Sequence, residues 1–122
     1  MNELAKYCGI AYDFQRYNCW HHVRRVRDDY GLKTPEFDCV DQQFENEIFD
    51  SAHENSKGLL QIDAPENLCA VLMAKEIKGH LVWHSGVYLN GQVSHCDRYA
   101  KQVRIEPLKA LEKIYTRIEF WH

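Results

Sequence analysis

The hydrophobic positions of this chain change period about halfway along it. From residue 18 they recur at helical spacing. Cys19, Val23, Val26 and Tyr30 are separated by four, three and four residues, with Arg24, Arg25, Arg27 and Asp28 on the other side. This pattern predicts an amphipathic helix that stops near Gly31, with the arginines on its solvated face and Cys19 in its first turn, facing inward. Thr34-Pro35-Glu36 combines an N-cap, a proline at the first helical position and an early acid. The stripe that follows, Phe37, Val40, Phe44, Ile48 and Ala52, predicts a second helix reaching about residue 55, with Phe49 lying off the stripe.

Beyond Gly58 the pattern suits strands. Residues 68–74 form a nearly continuous apolar run, as expected of a central strand buried on both faces. Residues 81–89 and 92–96 flank Asn90-Gly91, a pair that tolerates positive φ at both turn positions and so predicts a two-residue β-hairpin. Residues 102–105 predict a further strand, 107–115 a short helix and 116–121 a closing strand. Helices followed by an antiparallel meander describe a single α+β domain over residues 1–122.

Composition narrows the functional classes. A chain of 122 residues, 45% hydrophobic and 27% charged, is long enough for one buried core. The formal net charge of −3 gives no general attraction to a polyanion, so nucleic acid is not expected as a partner. No window approaches the roughly 18 apolar residues of a membrane span, and residues 1–10 lack the basic start and apolar core of a signal peptide. The expectation is a protein made and folded in a cytosol, without membrane insertion. Five cysteines, Cys8, Cys19, Cys39, Cys69 and Cys96, then read as free thiols rather than a disulfide framework. Zinc is disfavoured by spacing: no Cys-x-x-Cys is present, and His21-His22 and His95-Cys96 are adjacent pairs that point in different directions. No metal or other cofactor is expected.

One of these thiols is placed for chemistry. A helix N-terminus offers partial positive charge and N–H groups that draw a thiol pKa down from roughly 8.5. Among the five cysteines, only Cys19 is predicted at such a position. If Asn90-Gly91 makes a two-residue turn, Leu89 faces Gln92, and counting outward Gly86 faces His95 and His84 faces Asp97, all four on one side of the sheet. His84 then has the form of a base for the thiol. A third group is needed to set its tautomer, and the residues leave His95 and Asp97 open for that role.

Two segments resemble the NlpC-type cell-wall cysteine peptidases. Tyr17-Asn18-Cys19-Trp20-His21-His22-Val23 is similar to the nucleophile segment of that family, with Asn18 where an Asp is usual, His21 where a Gly is usual, and no glycine pair before the Cys. His84-Ser85-Gly86-Val87-Tyr88, continuing to His95, resembles the family's His-x-Gly-hydrophobic-Tyr hairpin, and Cys before His is the family's order rather than that of its permuted acyltransferase relatives. Gly9-Ile10-Ala11-Tyr12 resembles the entry strand. Trp20 after the nucleophile and residues 117–121 look like the bacteriophage tail branch. The resemblance implies a papain-like fold with N-terminal helices packed on an antiparallel sheet. It further implies Cys19 as nucleophile, His84 as base, His95 as orienting group with Asp97 the alternative, and Tyr12 and the Cys19 backbone N–H at the substrate or oxyanion. The implied activity is thiol hydrolysis of an amide in a peptidoglycan stem peptide, with other phage tail proteins as further partners. The competing expectation is a tail assembly protein that keeps the fold without the chemistry.

Overall fold

The computed structural model describes residues 3–35 and 59–122. A 3-10 helix, Glu3–Tyr7, leads to α1, Cys19–Asp29; then come β1 Gln61–Ile62, β2 Ala70–Ile77, β3 His80–Leu89, β4 Gln92–Asp97, β5 Gln102–Pro107, α2 Leu108–Glu112 and β6 Arg117–Trp121. The second helix expected from Thr34-Pro35-Glu36 to about residue 55 lies outside the described residues from residue 36 on. The strands form one antiparallel sheet in the order β1-β6-β2-β3-β4-β5. The α+β class is therefore seen directly.

β2 occupies the interior of the sheet because Ala70, Val71, Leu72, Met73 and Ala74 give it no polar face to expose; all five are buried. Its even positions join Trp20, Val23 and Val26 of α1 in one core, and its odd positions meet Leu108 and Leu111 of α2 in another. At about 1.5–3 kcal/mol for each large apolar side chain buried, the Trp20, Val23 and Val26 stripe accounts for the docking of α1. Asn90 and Gly91 have φ of 49° and 85°, as a type I′ turn requires, and Leu89 pairs with Gln92. Asn67 holds this turn, its Oδ1 accepting from Asn90 N at 2.9 Å. A second turn of the same kind, Lys78-Gly79 with φ of 50° and 80°, joins β2 to β3 and carries β2 three residues past its expected end.

One arginine departs from the expected solvated face. Arg27 lies three and four residues from Arg24 and Val23, and its side chain is 2% exposed. Its Nη1 donates to Leu68 O at 2.6 Å and its Nε to Thr34 Oγ1 at 2.8 Å. Leu68 has φ of 71° and lies just before β2, and the guanidinium takes up its carbonyl. The 3.6-residue period puts position 27 beside Val23, on the border of the buried stripe.

The β3–β4 ladder runs from Leu89↔Gln92 to Val87↔Ser94. Beyond it, β3 stays paired with β2 as far as Ile77↔His80, and β4 with β5 as far as Asp97↔Gln102. The expected rungs Gly86↔His95 and His84↔Asp97 are thus not part of the ladder. Gly86 marks the transition: a Cβ there would lie 2.8 Å from Ser94 O and 2.6 Å from Val93 Cγ1. We expect Gly86→Ala to lower stability by about 1–3 kcal/mol, from overpacking against backbone that cannot give way, measured as a shift in the urea midpoint.

Candidate active site

Cys19 is the first residue of α1, and local sequence explains why the helix starts there. Asn18 Oδ1 accepts from Trp20 N and His21 N, both at 3.0 Å, and Asn18 N donates back to His21 Nδ1 at 3.1 Å. This is a capping box with His in the place usually taken by Glu or Gln. Asn18 and His21, both unusual beside the NlpC-type pattern, therefore act as one unit. Beyond that cap, His21 borders a separate pocket with Arg16, Arg24 and Arg25. Cys19 itself is 3% exposed.

Three residues on, His22 ties the helix to the sheet. Its Nε2 lies 2.8 Å from Ser94 Oγ, on the last rung of the β3–β4 ladder, and its Nδ1 lies 2.7 Å from the Tyr17 hydroxyl. Burial pushes Tyr17 up to about 12, so its hydroxyl stays protonated and can donate to Nδ1 while Nε2–H donates to Ser94. The His22 ring is fully enclosed; burial first, with His95 and Arg25 adding to it, draws its pKa down to about 3. In the sequence His22 stands out only as a potential metal ligand, and its place two turns before Tyr30 is the signal for its burial.

On the far face of the sheet, His84, His95 and Glu106 form a chain of contacts. His84 faces Met73 and Glu106 faces Val93 across their ladders, both partners belonging to the core that α2 covers. His84 Nε2 is 2.8 Å from His95 Nδ1, and His95 Nε2 is 2.7 Å from Glu106 Oε2. Glu106 arrives through the β4–β5 register, which no turn signal in the sequence reveals, and it was missed. His95 is drawn below the usual histidine range because burial outweighs the opposing pull of Glu106. His84 is drawn well below it by burial and then by His95, Lys75, His22 and Arg98.

These contacts determine the tautomers. A carboxylate only accepts, so His95 Nε2 carries the proton and donates to Glu106. The neutral His95 ring then has its lone pair on Nδ1, which accepts from His84 Nε2–H. That leaves the lone pair of His84 on Nδ1, the nitrogen turned away from the relay and suited to take a proton.

Cys19 and His84 line one cleft, together with Tyr12, Lys75, Trp83, Cys96, Arg98, Tyr99 and Tyr115. Trp83 and Cys96 belong to the α1 face and His84 to the other, so the cleft joins the two faces beyond the last β3–β4 rung. Tyr115 stacks on the His84 ring, centroids 6.3 Å apart and planes at 18°. Tyr12 is held beside β5 by Tyr12 N donating to Lys101 O at 2.9 Å. Asp97, the alternative third residue, is occupied elsewhere. Its Oδ1 accepts from Tyr99 N at 2.9 Å and its Oδ2 is 3.9 Å from Arg104, while His95 has the position next to His84. Among the described residues no three His, Cys, Asp or Glu side chains converge as a metal site requires, and no helix is long and apolar enough to cross a membrane.

Because the folded protein holds His22 neutral down to about pH 3, the unfolded chain takes up a proton that the native state refuses once pH falls below about 6.5. Stability from this group is full above that value and is lost as pH falls toward 3. In urea titrations, wild type should lose roughly 2–3 kcal/mol more than His22→Asn between pH 6.5 and 4.5. Parallel losses in the two proteins would show that His22 is not buried neutral.

No protein-family model matches the chain, and no curated protein matches it.

Proposed function

We propose that this chain is a cysteine hydrolase of the papain-like, NlpC type that cleaves an amide bond in peptidoglycan stem peptides. The observation that carries the reading is the His84–His95–Glu106 relay, which orients a neutral imidazole, lone pair on Nδ1, in the same cleft as a cysteine at a helix N-terminus. In this scheme His84 Nδ1 takes the proton of Cys19 Sγ–H and the sulfur attacks the amide carbonyl carbon. The Cys19 backbone N–H, with the helix dipole behind it, and Tyr12 serve the developing oxyanion. The C–N bond breaks, His84 returns the proton to the leaving amine, and a thioester to Cys19 remains. Water, deprotonated by His84, then attacks the thioester, releasing the carboxylic acid and restoring the thiol.

His95 and Glu106 are positioning residues here, and the peptidoglycan substrate and the setting of a bacteriophage tail rest on the motif resemblance alone. The relay supports activity over a purely architectural role, since a buried histidine pair aligned by a carboxylate has no evident packing purpose beside an apolar core.

The test is thiol reactivity together with wall cleavage. Iodoacetamide should label Cys19 below neutral pH at least about tenfold faster than exposed Cys8, and His84→Ala should abolish the difference. On purified peptidoglycan, Cys19→Ala should release no new amino groups. Glu106→Gln, whose amide can donate and so reverse both tautomers, should reduce the rate by about 10²–10⁴, while Asp97→Asn stays within about threefold. Slow, ordinary labelling of Cys19 in wild type and His84→Ala alike would refute the reading and favour an assembly role.

A further inference from the structure

The relay from Glu106 determines which nitrogen of His84 carries the proton, but it leaves the plane of the ring to other contacts. His84 is tied to His95 by one hydrogen bond, at Nε2. In an imidazole that nitrogen lies closer than Nδ1 to the Cβ–Cγ axis about which the ring turns, and the torsion about that axis is broad in histidine. Rotation therefore stretches the relay bond little while it swings Nδ1 through a wider arc. The two rings stand at 80° to one another with centroids 5.0 Å apart, so His95 offers His84 no parallel surface to lie against.

Tyr115 supplies that surface. Its ring lies at 18° to the His84 ring with centroids 6.3 Å apart, the offset stack that aromatic pairs prefer to a sandwich. The main chain is clamped on both sides of it: Tyr115 N donates to Leu111 O of α2 at 2.9 Å, and Thr116 N and Oγ1 donate to Ala74 O of β2 at 2.9 and 3.3 Å. The ring packs on the core that α2 covers, and Lys75 Nζ of β2 is 5.5 Å from its centre. Although it lies on the segment between α2 and β6, Tyr115 is half-buried and held at the cleft that Cys19 and His84 line.

We infer that Tyr115 is a positioning residue of this site: by stacking on His84 it fixes the plane of the imidazole and so the direction in which Nδ1 points. The inference rests on the thiol-hydrolase reading, in which Nδ1 must meet the sulfur of Cys19. It adds that separate groups set the two properties of the base, Glu106 its tautomer through His95 and Tyr115 its plane. The ring does this and not the hydroxyl, so phenylalanine can replace Tyr115 and an aliphatic side chain of similar bulk cannot.

The pH profile of Cys19 alkylation by iodoacetamide, followed by peptide mapping of the full chain, separates positioning from a general effect on packing. Below neutral pH fast reaction needs an imidazole aligned with the thiol, whereas above about pH 10 a thiol ionises unaided. In Tyr115→Leu the rate at about pH 6 should fall about tenfold, while the rate at about pH 10 stays within about twofold of wild type. Tyr115→Phe should follow wild type at both. In a His84→Ala background Tyr115→Leu should change the low-pH rate by less than about twofold, because a residue that acts through His84 then has nothing to position. In wild type, nuclear Overhauser contacts between the ring protons of His84 and Tyr115 should be present, a measurement independent of how the variants fold.

A Tyr115→Leu profile that matches wild type, with His84→Ala still abolishing the fast labelling, would overturn the assignment of Tyr115 and leave the thiol-hydrolase reading standing. The same holds for equal losses at both pH values, for a Tyr115→Phe protein as slow as Tyr115→Leu, and for two rings without an Overhauser contact. Slow labelling of Cys19 below neutral pH in wild type and His84→Ala alike would overturn both.

Discussion

The hydrogen bond from His22 to Ser94 is the contact on which the site depends. It joins the inward face of α1 to the last rung of the β3–β4 ladder, at 2.8 Å and out of reach of water. Cys19 lies three residues earlier, about 4.5 Å along the helix axis at 1.5 Å per residue. Pinning His22 to the end of the ladder therefore brings Cys19 to the opening just past it. A sheet normally separates what lies on its two faces. Here the ladder stops, and a thiol from the α1 side and an imidazole from the α2 side share one cleft.

The two buried histidines of this junction do different work with the same chemistry. His22 has a tyrosine hydroxyl on one nitrogen and a serine on the other, both neutral, and is held uncharged by burial. His95 has a carboxylate on one nitrogen and a second imidazole on the other, so the direction of every proton in the relay follows from the one group that cannot donate. The first arrangement is a fastener. The second transmits an orientation from Glu106, on β5, to the ring of His84, whose lone pair is left on the nitrogen turned away from His95.

Gly86 makes this geometry possible. The strands approach so closely at the end of the ladder that a methyl group would meet backbone at 2.8 Å, and that approach lets His95 reach diagonally to His84. The same diagonal explains why Asp97 is not the partner, although a rigid extension of the hairpin register sets it directly opposite His84. Past the end of that ladder β4 stays paired with β5 through Asp97, the chain then turns at Arg98, and the Asp97 carboxylate is taken up by Tyr99 N in that turn.

Much of this was legible in the residues alone. Helical periodicity located α1 and put Cys19 at its start, the apolar run at 68–74 marked the central strand, and Asn90-Gly91 set the hairpin register, because each rests on interactions only a few residues apart. The Lys78-Gly79 turn was not foreseen, since lysine carries no preference for positive φ. Arg27 was misjudged because charge argued for water while its helical angle argued for the core. Glu106 was invisible for a different reason. Nothing local links positions 84, 95 and 106; they meet only through two successive strand registers and the place where one ladder ends. Periodicity and turn chemistry are enough to set which elements form and which thiol sits at a helix N-terminus. Which carboxylate orients which histidine depends instead on where strands stop pairing, a property of the packed sheet and of no single segment.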